Sequence, residues 1–280
     1  MYRQKRYKEC IKEVESKLKR APNSLHLLNY HAMACSALKR DNEALLSYQK
    51  IRKVDPTLAG PYYNMGIILK RNGRVEEAID SYKKAISLRS DYVQAYNNLG
   101  SLYKDRQEYE DAIEMFTKVK ELQPFNHKSY FNLALVKREQ GLNEEAMKLF
   151  LKVLDLNPEH SDAKCNISII KNENGLPEEA KKYLLEILKT DQKHENAPKY
   201  LAAIALKQER FEEVWRYYEY RWKASPQNQV IWPFQHKPLW QGERGKRVSL
   251  WREQGIGDDI IFLSLVPEVK EMCKSLSVYV

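Results

Sequence analysis

Residues 59–92 read AGPYYNMGIILKRNGRVEEAIDSYKKAISLRSDY, and this stretch decides the fold. Two segments of helical apolar period flank the turn dipeptide Asn72-Gly73. Counted from Ala59, an aromatic stands at position 4 (Tyr62), a large-apolar/small pair at 7 and 8 (Met65, Gly66), a small residue at 20 (Ala78) and an aromatic at 24 (Tyr82). A shift of 34 residues in either direction recovers this skeleton without insertion or deletion. Position 20 reads Ala44, Ala78, Ala112, Ala146, Ala180 and Val214; position 24 reads Tyr48, Tyr82, Phe116, Phe150, Leu184 and Tyr218. A closing proline recurs as Pro22, Pro56, Pro124, Pro158 and Pro226. Six full units follow (25–58, 59–92, 93–126, 127–160, 161–194 and 195–228), preceded by half of one.

A helical hairpin of this kind has an apolar face that it cannot bury alone, so neighbours stack to cover one another. Position 8 is small throughout (Ala32, Gly66, Gly100, Ala134, Ser168, Ala202), which lets the first helix of each pair, helix A, approach the second, helix B; Gly73, Gly141 and Gly175 serve the turns. These residues resemble the tetratricopeptide-repeat (TPR) family over about four-fifths of the chain. The resemblance implies an all-α fold, a right-handed superhelical solenoid of antiparallel helix pairs whose concave groove binds a protein or peptide.

Composition bounds the alternatives. The net charge of +9 raises nucleic acid and membrane surfaces as partners, but 47 basic residues are interleaved with 38 acidic ones and form no block. A solvated helical surface, with no nucleic-acid partner, is the expectation. Cys10, Cys35, Cys165 and Cys273 show neither paired nor metal-ligand spacing, which points to a reducing, cytoplasmic compartment. The first twenty residues are too charged for a signal peptide, and the apolar run from Ile260 to Val266, interrupted by Ser264, is too short to span a bilayer. The six histidines (His26, His31, His127, His160, His194, His236) are scattered, so surface roles, no metal and no cofactor are expected. Tyr7, Cys10, Val14 and Leu18 share one stripe of an N-terminal helix in register with a helix B, which makes residues 1–24 a half repeat or cap.

At 100° per residue, positions 4, 7, 8 and 11 of helix A form its buried side, and positions 2, 6, 9 and 13 lie almost opposite. Position 6 reads Tyr30, Asn64, Asn98, Asn132, Asn166 and Tyr200. Four asparagines in line can give and accept hydrogen bonds along an extended peptide backbone. They resemble the asparagine ladder in the TPR superhelix of O-linked N-acetylglucosamine transferases, although Asn is also common at this position of TPR sequences. Lys70, Lys104 and Arg138 at position 12 can attract acidic ligand groups, or else be neutralised by Asp105, Glu139 and Glu173 beside them at position 13. No repeat has both the Lys at 5 and the Asn at 9 of the chaperone carboxylate clamp.

After Asn228 the helical period gives way, residues 229–245 read as a linker, and all five tryptophans fall between 215 and 251. Residues 247–251 (RVSLW) then predict a buried strand, Glu253 to Asp259 a glycine turn, Ile260 to about Lys274 a helix, and Leu276 to Val280 a second strand. That is a short βαβ fragment opening a Rossmann-like domain at 246–280. The turn lacks the third glycine of a dinucleotide site and the Gly-Lys-Ser/Thr of a P-loop. Together with Tyr217 to Trp222 and Pro238 to Gly242, it resembles bacterial proteins that join TPR arrays to a heptosyltransferase-like (GT-B) glycosyltransferase domain. The resemblance implies that Gly255 and Gly257 permit close substrate approach and that Asp258 is a candidate catalytic base, although an N-cap is the ordinary role of Asp-Asp before a helix. Since the sequence ends at Val280, the donor lobe that binds a nucleotide-sugar is expected to be missing. The expectation is a peptide-binding scaffold that presents an acceptor to such a domain; a stand-alone scaffold is the alternative.

Overall fold

A computed structural model of the chain describes residues 5–192, 194–218, 247–251, 270–271 and 274–279. Two compact units are distinguished, residues 1–224 and 225–280.

Within the first unit, α1 (Lys5–Leu18) precedes six helical pairs. The A helices are α2 (Leu25–Ala37), α4 (Ala59–Arg71), α6 (Val93–Asp105), α8 (His127–Glu139), α10 (Ser161–Glu173) and α12 (Ala197–Lys207). The B helices are α3 (Asp41–Val54), α5 (Val75–Leu88), α7 (Tyr109–Leu122), α9 (Asn143–Leu156), α11 (Pro177–Thr190) and α13 (Phe211–Tyr218). All six B helices, and the first five A helices, start at intervals of 34 residues. Helix α12 starts two residues late, at Ala197, where the His194 imidazole accepts the Ala197 N–H and Pro198 follows within the first turn. In α1 the buried residues are Ile11 and Val14, with Tyr7, Cys10 and Leu18 half-buried around them. Ile11 therefore belongs to the packed stripe as well.

Each A helix ends in a Schellman turn. In the second repeat Arg74 N–H reaches Leu69 C=O at 2.9 Å and Gly73 N–H reaches Lys70 C=O at 3.0 Å, with Gly73 at φ 74°. Gly141 and Gly175 repeat this, as the sequence predicts. Lys39, Gln107 and Glu209 hold the equivalent place at φ 58°, 62° and 58°. The turn is thus imposed by the stacked helices even where a β-carbon makes it unfavourable.

The core is a chain of overlapping clusters and not one central core. Tyr48, Tyr82, Phe116 and Phe150 at position 24 are its largest fully buried side chains. Each A helix packs on its own B helix and on the B helix before it. Consequently positions 3 and 10 are buried in almost every repeat, in addition to the expected 4, 7, 8 and 11. His31, at position 7, is buried too, so the expectation that it lies on the surface is corrected: it replaces an apolar core residue.

In the second unit, β1 (Arg247–Trp251) pairs in parallel with β2 (Ser275–Tyr279), Arg247 opposite Ser275 and Trp251 opposite Tyr279.

A β-carbon on Gly66 would lie 2.6 Å from Cε1 of the fully buried Tyr82 ring, whereas one on Gly60 meets nothing within 4 Å. Gly66→Ala should therefore lower stability by about 1–3 kcal/mol through overpacking. Gly60→Ala should be neutral or stabilising by up to about 1 kcal/mol. Urea unfolding of the two variants checks the contrast.

Candidate peptide-binding surface

Because each A helix is enclosed by two B helices, only a narrow stripe of it is left open. Position 13 is exposed in all six repeats (Ala37, Arg71, Asp105, Glu139, Glu173, Lys207), and position 2 is exposed at His26, Gln94, Lys128, Asp162 and Asn196. Position 9 is exposed at Met33, Ile67 and Ala203, and half-buried at Ser101, Leu135 and Ile169. At the N-terminal end this stripe is apolar, with Met33 47% and Ile67 36% exposed beside Tyr30.

Position 6 lies on the flank of the stripe and not at its open centre. Asn64, Asn98 and Asn132 are half-buried and Asn166 is buried. Their partners follow the residue at position 24 of the preceding repeat. Where that residue is tyrosine, the amide faces its hydroxyl: Asn64 interacts with Tyr48, and Asn98 Nδ2 donates at 3.4 Å to both Tyr82 and Tyr63. Burial pushes the Tyr48 phenol up to about 12 and raises that of Tyr82 further, so both stay neutral, and the amides satisfy hydroxyls that the core would otherwise strand. Where position 24 is phenylalanine, the amide turns elsewhere. Asn132 Nδ2 donates to Asn97 Oδ1 at 3.3 Å, while Asn166 donates to the Asp162 carbonyl at 2.7 Å and accepts from Arg138. The change from Tyr48 and Tyr82 to Phe116 and Phe150 at position 24 is visible in the sequence and could have identified these pairings.

The basic residues at position 12 are engaged by neighbouring repeats. Lys70 lies 3.8 Å from Asp105, and Lys104 lies 3.6 Å from Asp105 and 3.2 Å from Glu139. Arg71 pairs with Asp41, and Arg106 with Glu76, across adjacent repeats. Charge on this surface is therefore largely compensated, and exposed pairs of this kind contribute little individually. A separate cavity of about 390 Å³ lies among α3, α4 and α5, where the Arg52 guanidinium sits 4.3 Å over the Tyr62 ring. Asp258, Gly255 and Gly257 lie outside the described residues.

Two histidines act as helix caps. His160 Nδ1 accepts the Ala163 N–H at 3.2 Å, and its ring lies 5.2 Å from that of His127 and 4.7 Å from that of Phe131. Burial, and then the neighbouring His127, hold the His160 pKa below the ordinary histidine value. A lowered folded pKa means that, on acidification, the unfolded chain takes up a proton that the folded chain resists. This contribution to stability is complete above the ordinary value of about 6.5 and is lost as pH falls through that value towards the lower folded one. His160→Asn, which keeps a capping acceptor, should flatten this part of the pH dependence of the thermal midpoint between about pH 7.5 and 5.5.

Family models described as TPR repeat and Tetratricopeptide repeat match residues 68–105, 93–126 and 127–160. Among solved structures, the chain is similar to the MamA protein at 24% identity and TM-score 0.55, covering 60% of this chain and 92% of that one. It is similar to YrrB, described as a TPR protein with an unusual peptide-binding site, at 19% identity and TM-score 0.55 over 70% and 97% of the two chains. The C-terminal part of a TPR repeat-containing protein from Cytophaga hutchinsonii matches at 18% identity and TM-score 0.65 over 80% and 92%. At these identities the likeness bears on the fold alone. No curated protein matches the sequence. Residues 68–160 thus match tetratricopeptide-repeat models, and helix pairs of the same order continue on both sides of them in the first unit.

Proposed function

We propose that this chain is a protein-interaction scaffold that binds an extended peptide along the open stripe of its A helices. The observation that carries the reading is the set of exposed apolar side chains Tyr30, Met33 and Ile67 on the one stripe that the stack leaves uncovered. Beside them run the amides of Asn64, Asn98 and Asn132, which retain hydrogen-bonding capacity towards a peptide backbone. Lys70, Lys104 and Arg138 act chiefly on neighbouring repeats, so the partner is recognised through apolar anchors and backbone contacts more than through acidic groups. The peptide-binding character of the similar YrrB agrees with this reading. No helix among the described residues is long and apolar enough to cross a membrane, and Cys10, Cys35 and Cys165 are free thiols. A reducing, cytoplasmic location and the absence of a nucleic-acid partner belong to the same proposal.

The finer reading concerns residues 246–280, beyond a linker at 229–245. In it the scaffold presents an acceptor to a GT-B glycosyltransferase domain in a longer protein, which supplies the nucleotide-sugar site. Gly255 and Gly257 allow substrate approach, and Asp258 serves as base. What supports it is the parallel pairing of β1 with β2, since parallel neighbours need a crossover connection such as that of a βαβ unit. Bacterial origin is part of this finer reading only.

Peptides selected on the full chain from a random library provide the test. Met33→Glu with Ile67→Glu should weaken their binding by about tenfold or more, because both apolar anchors are lost. Leu151→Glu, an equally exposed position on α9, should leave binding unchanged. Equal effects of the two changes would contradict the assignment of the surface.

A further inference from the structure

We propose that His31, Cys35 and Glu43 form a zinc site at the N-terminal end of the array, with Glu15 beside its fourth position. This goes beyond peptide binding and reverses the expectation, drawn from residue spacing, that the chain holds no metal. The first repeat departs from the others at a core position. Position 7 is Met65, Leu99, Leu133, Ile167 and Leu201 in the other five repeats, and all five are buried. Here it is a buried histidine, followed one turn later by a fully buried cysteine, Cys35.

The ligand atoms of His31, Cys35 and Glu43 all lie within 4.8 Å of one another. Cys35 Sγ is 3.8 Å from His31 Nε2, and Glu15 Oε1 is 3.5 Å from the same nitrogen. Zinc–ligand bonds of about 2.0–2.3 Å in a tetrahedral shell imply ligand separations of roughly 3.3–3.8 Å, so the imidazole already stands near the required spacing from the thiol and from Glu15, and the set with Glu43, within 4.8 Å, has to close by a small side-chain movement. An outer shell is also present. Ser47 Oγ lies 2.8 Å from His31 Nδ1, and the tautomer that donates Nδ1–H to this hydroxyl leaves the Nε2 lone pair free for a metal; Cys35 Sγ stands 3.7 Å from Nδ1 and 3.8 Å from Nε2, beside the ring, so the thiol swings towards the metal on binding. Arg40 holds both oxygens of the Glu43 carboxylate, its Nε 2.6 Å from Oε1 and its Nη2 2.5 Å from Oε2, so a metal would share this carboxylate with the guanidinium. A borderline-soft set of one imidazole, one thiolate and carboxylates suits Zn²⁺ and not Mg²⁺ or Ca²⁺.

Burial, and then the Glu43 and Glu15 carboxylates, push the Cys35 thiol up to about 11, so the metal-free site holds a neutral S–H. Binding forms a Zn–S bond, breaks the S–H bond and releases that proton to the buffer. Glu15 lies on α1, His31 and Cys35 on α2, and Glu43 on α3. The metal would therefore fasten the N-terminal half repeat to the first full pair.

Zn²⁺ titration of the full chain by calorimetry, with Co²⁺ as a spectroscopic probe, tests the site. One equivalent of Zn²⁺ should bind per chain, and Co²⁺ should give a thiolate-to-metal charge-transfer band. Cys35→Ser should abolish the band and the stoichiometric binding. Glu43→Gln, at a half-exposed side chain, and Ser47→Ala, at the outer contact, should each weaken Zn²⁺ binding by about 10- to 100-fold. Absence of saturable binding, or a band that survives in Cys35→Ser, would overturn the proposal. If circular dichroism shows Cys35→Ser to be unfolded, Glu43→Gln decides, and wild-type affinity in that variant would overturn it equally.

Discussion

The close approach of helix A to helix B at position 8 is the contact on which the remainder depends. At Gly66 and Gly100 the facing Tyr82 and Phe116 rings occupy the space that a β-carbon would need. The rings of Tyr82 and Phe116 at position 24 are thereby held fully buried in the middle of their hairpins, and both helices can lean on them. Once the pair is this tight, the next A helix docks on the outer side of the B helix at positions 3 and 10. The repeat is then fixed in spacing as well as in sequence.

That enclosure also limits which surface the proposed peptide site can use. A helix covered on two sides has few positions to offer a partner, and here they are 2, 9 and 13. The half-buried asparagines serve two demands at once: in the first repeats they satisfy tyrosine hydroxyls, and along the whole flank they border the open stripe. The surface charge behaves similarly. Residues such as Lys104 and Arg71 are occupied by acids one repeat away, which compensates the positive charge internally.

Much of the array was legible because the 34-residue skeleton repeats position by position. Helix starts at 25, 59, 93, 127 and 161, and the buried identities at 4, 7, 8 and 11, follow directly from it. What remained hidden depended on neighbours. Positions 3 and 10 are not on the face that a single amphipathic helix would bury, and only the preceding B helix covers them. Lys39, Gln107 and Glu209 adopt left-handed turns that their residue types disfavour, because the same Schellman hydrogen bonds close all six turns. His31 read as a scattered histidine until its register at position 7 was set against the apolar residues of the other repeats. For Gly255, Gly257 and Asp258 the sequence reading stands as a proposal, since they fall outside the described residues.

Oxidation of the native methionines by dilute peroxide tests the central claim, that the stack leaves one stripe of each A helix open and seals the rest. Met33 at position 9 is 47% exposed, and Met65 at position 7 is 5% exposed. The account predicts fast conversion of Met33, slowed when a selected peptide is bound, with Met65 resistant in both states until the chain unfolds. Equal rates for the two, or a Met33 rate indifferent to bound peptide, would contradict it.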